Sequence, residues 1–159
     1  MKHIFLVILF LSCLTLVGCG GGGGGGDNGV TLTPQQQEFA DVVYAFATAV
    51  NEKDKTKAMK LVMADVIYNN SLGHDDFKTR LENFIDKANN PSFTINDIGV
   101  SFLEADQLAE IRADVTINYN GSESISELLE IHVEKSGSNK GIKRFQKYKN
   151  DNSAFPPVL

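Results

Sequence analysis

The sequence predicts an α+β domain in which three N-terminal helices pack on one face of an antiparallel sheet. Three observations carry this. Apolar residues recur at helical spacing in three segments before residue 90. From Ser92 onward the apolar period switches to two. Asn120-Gly121 lies between two alternating runs, a type I′ hairpin signal. Helices kept apart from strands argue for a sheet covered on one face.

The first helix opens at Thr33-Pro34-Gln35-Gln36, an N-cap, a proline at the first helical position and a capping-box glutamine. Phe39, Val42, Val43, Phe46, Ala47 and Val50 then mark one helical face over three turns. Asp54 caps a short second helix with Ala58, Leu61 and Val62 inward, and a short strand covers Val66 to Asn69. Asp75 caps a third helix whose Phe77, Leu81, Phe84, Ile85 and Ala88 share a face, and Asn89-Asn90-Pro91 ends it.

Four strands follow as a meander. Phe93, Ile95, Val100 and Phe102 mark the first. Ile111, Ala113, Val115, Ile117 and Tyr119 alternate with Arg112, Asp114, Thr116 and Asn118 in the second. Ile125, Leu129, Ile131 and Val133 alternate with Ser126, Glu130, His132 and Glu134 in the third. Ser136 to Gly141 forms a turn, and Ile142 to Tyr148 the last strand.

The chain has 159 residues, 42 % hydrophobic and 22 % charged, with a formal net charge of −5. That suits one globular domain. An acidic chain with no basic arm is a poor nucleic-acid binder, because phosphate contacts need clustered Lys and Arg. Before the domain, Met1-Lys2-His3 precedes a nearly continuous apolar stretch, Ile4 to Leu16. A basic start followed by an apolar segment too short to span a membrane reads as a secretion signal. Seven glycines, Gly20 to Gly26, follow directly. Glycine loses too much backbone entropy to order there, so the run is a tether reaching about 20 Å as a coil. It has no lysine and no phosphate-loop pattern.

Leu16-Val17-Gly18-Cys19 resembles the lipobox of bacterial lipoproteins. The resemblance implies cleavage before Cys19 and a diacylglyceryl thioether on its sulfur. The expected organisation is a signal peptide over 1–18, a lipidated cysteine and tether over 19–32, a domain over 33–150 and a tail over 151–159. Cys13 would leave with the signal and Cys19 would be acylated, so the mature chain would offer no thiol for redox chemistry, nucleophilic catalysis or metal ligation. Acyl chains would hold it to a membrane. Gly20 in place of an aspartate implies, in a double-membraned bacterium, the outer membrane facing the periplasm.

The domain resembles the nuclear transport factor 2-like (SnoaL-like) fold, a cystatin-like curved sheet wrapped around helices as a cone. The residues that carry this are Phe39 to Asn51, Asp54, Leu61 to Tyr68, Gly73, and the meander with Tyr119-Asn120-Gly121. Ketosteroid isomerases of this fold use a helix-one tyrosine, a carboxylate base after the first strand and a protonated acid on a later strand. Aligned without gaps, those positions hold Phe46, Asn70 and Glu130. A phenyl ring cannot donate to an oxyanion and an amide cannot take the proton. Strand parity also puts Glu130 on the polar face, with Leu129 inward. The resemblance therefore brings no catalytic residue, and no cofactor or metal ligand set.

The expectation is a lipid-anchored, non-enzymatic cell-envelope module that binds a small apolar ligand or serves as an interaction or homodimerisation domain. Phe46, Tyr68, Asn70 and Tyr119 are candidate cavity walls, with core filling as the plain alternative. The competing expectation is a SnoaL-like isomerase, dehydratase or hydrolase with an inward-facing acid or base. His74 reads as a solvated helix start, and His132 as part of a solvated outer ladder with Glu130 and Glu134. Asp65 is expected to bond turn amides, and Arg112 a cross-strand acid. Lys140, Lys143, Arg144, Lys147 and Lys149 read as charges that protect an edge strand, or as a surface for acidic partners or lipid headgroups.

Overall fold

Helix α1 (Pro34–Asn51) begins at the expected capping box. The Gln36 N–H donates to Thr33 Oγ1 at 3.3 Å, and the Thr33 N–H donates to Gln36 Oε1 at 2.9 Å. The structure is a computed structural model that describes residues 31–69, 73–88, 90–119 and 124–148. The lipobox with Cys19, the tether, Asn70, the Asn120-Gly121 turn and the tail fall outside the described residues.

Helix α2 (Lys55–Lys60) is capped by Asp54, whose Oδ1 accepts from the Lys57 N–H at 2.8 Å. It stops short of the expected inner-face pair. Leu61 is the C-cap, and Val62 opens strand β1 (Val62–Tyr68), which is longer than the sequence reading placed it. The Leu61 carbonyl accepts from the Ile142 N–H at 2.7 Å, so pairing with another strand wins over helix continuation. Helix α3 (His74–Lys87) starts two residues earlier than expected. Its N-cap is Gly73 with no side-chain cap bond, and Asp75 and Asp76 lie in the first turn, where carboxylates favour the positive end of the helix dipole.

Strands β2 (Ser92–Glu104), β3 (Leu108–Asn118), β4 (Ser124–Ser136) and β5 (Asn139–Lys147) form the meander, and the sheet order is β1-β5-β4-β3-β2. The sheet is mixed rather than wholly antiparallel, because β1 pairs with β5 in parallel. The chain leaves β1, crosses through α3 to the far edge and meanders back, which returns β5 beside β1 in the same direction. Strand β5 is therefore central, and the edges are β1 and β2. The turn between β4 and β5 is tighter than expected, with Gly137 at φ +62°, where a side chain would be strained. Register shifts in β2 and between β4 and β5 are bulges that bend the sheet.

The concave face packs on α1, and the helices cover it on one side only. Ala109, Ile111, Ala113, Val115 and Ile117 of β3 and Leu129, Ile131 and Val133 of β4 are fully buried against Phe39, Val43, Phe46 and Val50 of α1. The Asn51 side chain ties the end of α1 to the start of β2. Its Nδ2 donates to the Phe93 carbonyl at 3.0 Å, and its Oδ1 accepts from the Phe93 N–H at 2.6 Å. Among the described residues no helix is long and apolar enough to cross a membrane.

Candidate functional site

One end of the cone gathers the last residues of β1, β3 and β5, the first of β2 and β4, and the end of α1. Phe46 on α1 and Tyr68 on β1 lie there, 2 % and 0 % exposed. The Phe46 ring stands 6.1 Å from Phe77, 6.1 Å from Phe93 and 5.6 Å from Phe145. Tyr68 meets Phe77 edge-on at 5.2 Å, and Phe77 meets Phe145 at 5.4 Å. Tyr119 is half-buried against the same core. The structure thus brings Phe46 and Tyr68 into one ring cluster, in the geometries that aromatic pairs prefer.

Two charged residues not singled out from the sequence, Glu127 and Arg80, and one read there as an edge or surface charge, Lys147, join them. Glu127 lies opposite Val115 and Lys147 opposite Leu129, and both of those partners are fully buried. Directly opposed residues share a face, so both charges point inward. Lys147 Nζ donates to Glu127 Oε1 at 2.7 Å, with side chains 9 % and 25 % exposed. On α3, the Arg80 guanidinium lies over the Tyr68 ring at 5.9 Å, and its Nη1 is buried with no hydrogen-bond partner among the described residues. The signal was present in the parity: Glu127 interrupts Ile125-x-Glu127-x-Leu129, and Lys147 continues Phe145 by two. Arg80 follows Phe77 by three, on the inward side of its helix.

The convex face carries a second polar group. Register sets Glu110, His132 and Arg144 in one row and Arg112, Glu130 and Gln146 in the next. Leu129 is fully buried while Glu130 faces outward, as strand parity requires. The row is not the solvated ladder expected of it. The His132 side chain is 15 % exposed, and burial, with the Arg144 charge, holds its imidazole below the usual histidine range against the opposing pull of Glu130 and Glu110. Arg112 does not pair with a cross-strand acid. Its Nε donates to Glu110 Oε1, two residues away on its own strand, at 2.8 Å, and its guanidinium covers Tyr148 at 4.7 Å.

The three lysines of β5 form ion pairs within the molecule, and Lys149 lies outside the described residues. Lys140 pairs with Glu38 at 2.8 Å, Lys143 with Asp65 and, at 3.4 Å, Glu134, and Lys147 with Glu127. They do not guard an edge, because β5 has strands on both sides. Asp65 accordingly meets a lysine rather than turn amides. His74 is partly exposed, with Nδ1 3.4 Å from Asp75 Oδ1. It helps line an open cleft of about 340 Å³ between α2 and α3 with Lys55, Thr56, Met59, Lys60 and Lys78.

No family model matches the sequence, and no curated protein matches it either. Solved structures do. A protein from Novosphingobium aromaticivorans DSM 12444, provisionally named a scytalone dehydratase, aligns over 70 % of this chain and 81 % of its own, with 16 % identity and a TM-score of 0.59. A nuclear transport factor 2-like protein of unknown function from Pseudomonas putida KT2440 aligns over 70 % and 84 %, with 12 % identity and a TM-score of 0.61. The chain has the nuclear transport factor 2-like fold. A protein from Nostoc punctiforme PCC 73102 with a cystatin-like fold aligns over 73 % and 92 %, with 11 % identity and a TM-score of 0.59. At these identities the likeness extends to the nuclear transport factor 2-like fold and not to an activity.

Proposed function

We propose that this protein is a lipid-tethered, non-enzymatic module of the cell envelope that binds a small amphipathic anion at the end of its cone. The observation that supports this is Arg80. Among the described residues its buried Nη1 has no hydrogen-bond partner, and it lies beside the ring cluster of Tyr68 and Phe77. A buried donor left unmade costs about 1–3 kcal/mol, and more when charged. A ligand carboxylate would satisfy it, with the buried rings of Tyr68 and Phe77 as a packed apolar floor beneath the ligand. The tether and lipobox supply the address, with the outer membrane as the expected surface.

The binding test uses the Cys19→Ala chain, which has no acyl group to compete, titrated with 2-naphthoate by calorimetry. Binding is expected, with at least a tenfold loss in Arg80→Gln and no change in Arg112→Gln on the convex face. Equal affinity in Arg80→Gln and the parent chain rejects the reading. Mass spectrometry checks the address, since Cys19→Ala should lose the lipid-sized mass increment.

An enzyme of the SnoaL-like kind is the second reading, and one feature favours it: Glu127 is an inward-facing carboxylate with a hydrogen-bonded partner. The Lys147 ammonium, however, occupies a Glu127 oxygen that a general base would need.

A further inference from the structure

The convex face of the sheet brings four metal-type donors together from three strands. Glu110 and His132 are directly opposed across β3 and β4, Glu130 and Gln146 across β4 and β5, and Glu130 and His132 are two apart on β4. The pleat therefore aims all four side chains to one side. One donor atom each from Glu110, Glu130 and His132 lies within 4.8 Å of the others. Two ligands of one ion at about 2.1 Å stand at most about 4.2 Å apart, so small rotamer adjustments close the set.

Two atoms beside this group lack what a cation would supply. Gln146 is only 8 % exposed; its Nε2 donates to Glu130 Oε1 at 2.9 Å, while its Oε1 is buried with no hydrogen-bond partner among the described residues. His132 Nε2 is likewise buried, 3.1 Å from Glu130 Oε1, with no well-formed hydrogen bond among the described residues. Buried acceptors without donors are rare and carry a cost.

We propose that this face binds a first-row divalent metal ion of the Zn²⁺ class, held by His132 Nε2, the carboxylates of Glu110 and Glu130, and Gln146 Oε1. One imidazole nitrogen with oxygen donors suits such an ion better than Mg²⁺ or Ca²⁺, which favour all-oxygen shells. Arg112 sets the limit on affinity. Its Nε and Nη2 both take Glu110 Oε1, each at 2.8 Å, so an ion takes the carboxylate's other oxygen and shares the charge with a guanidinium. Arg144, opposite His132, adds a second cation nearby. The site is therefore expected to bind in the micromolar range rather than as a structural zinc centre.

The experiment uses the processed, lipidated protein in detergent micelles, stripped with EDTA and dialysed against buffered Zn²⁺, with bound metal read by mass spectrometry. One equivalent per chain is expected, with affinity at least tenfold lower in His132→Asn and Glu130→Gln and unchanged in His74→Asn. A second readout needs no variant: Co²⁺ added to the ¹⁵N-labelled protein should broaden the amide signals of Glu110, His132 and Gln146 before that of His74. Absence of binding at 100 μM free Zn²⁺, binding that survives His132→Asn, or broadening centred elsewhere each overturns the proposal.

Discussion

Whether the cone end is packed or open turns on Phe77, and Phe77→Ala decides it. Phe77 is 1 % exposed and touches the rings of Phe46, Tyr68 and Phe145. Truncation removes roughly 100 Å² of buried apolar surface, about 2.5 kcal/mol at 25 cal/mol per Å². Three ring contacts at about 0.5 kcal/mol each bring the loss to about 4 kcal/mol. This falls inside the range of about 3–5 kcal/mol for phenylalanine truncation in a close-packed core. For a domain of this size it corresponds to a fall in melting midpoint of about 15 °C. Urea unfolding followed by circular dichroism measures it, with Phe77→Leu as a milder control at about 1–1.5 kcal/mol. A loss below about 1.5 kcal/mol at unchanged m-value would refute close packing. Phe46 and Tyr68 would then line an open pocket instead of filling a core.

Other perturbations test neighbouring features. Asn51→Ala removes both bonds to the Phe93 backbone, so a loss of about 1–3 kcal/mol is expected in the same urea assay. An unchanged midpoint would mean that α1 is not latched to β2 there. The Lys143 hydrogen bond holds the Asp65 carboxyl below its usual range. A carboxylate lowered in the folded state stabilises above its unfolded pKa and loses that contribution as pH falls through its folded value. The stability gap between the parent chain and Asp65→Asn should therefore narrow as pH falls below about 4, and a gap constant from pH 7 to 3 would contradict the pairing. Since Asp65 is exposed, the gap at neutral pH should be small.

The capping box, the three helices and the alternation in β3 and β4 were legible because each depends on neighbours within a few residues. Thr33 and Gln36 bond each other wherever α1 goes, and Leu129 against Glu130 followed from parity alone. Elements decided by distant partners were read less well. Val62 left the second helix because the Ile142 N–H donates to the carbonyl of the preceding Leu61, and β5 became central because the crossover through α3 brought it beside β1. Its lysines, read as edge protection, became internal ion pairs for the same reason.

The candidate sites divide along the same line. Phe46, Tyr68 and Tyr119 could be named from the sequence because aromatic residues at inward positions are visible in a periodic pattern. Glu127 and Lys147 carry a parity signal too, but their pairing required strands β4 and β5 to meet in one register. Arg80 over Tyr68, and Glu110, Glu130, His132 and Gln146 in one cluster, exist only across elements far apart in the chain. The sequence by itself determined the local elements, the inward and outward faces of the strands and, through the lipobox resemblance, an expected address. Tertiary structure alone decided which charges lost water and which acceptors lost donors, because desolvation depends on what the folded chain brings together.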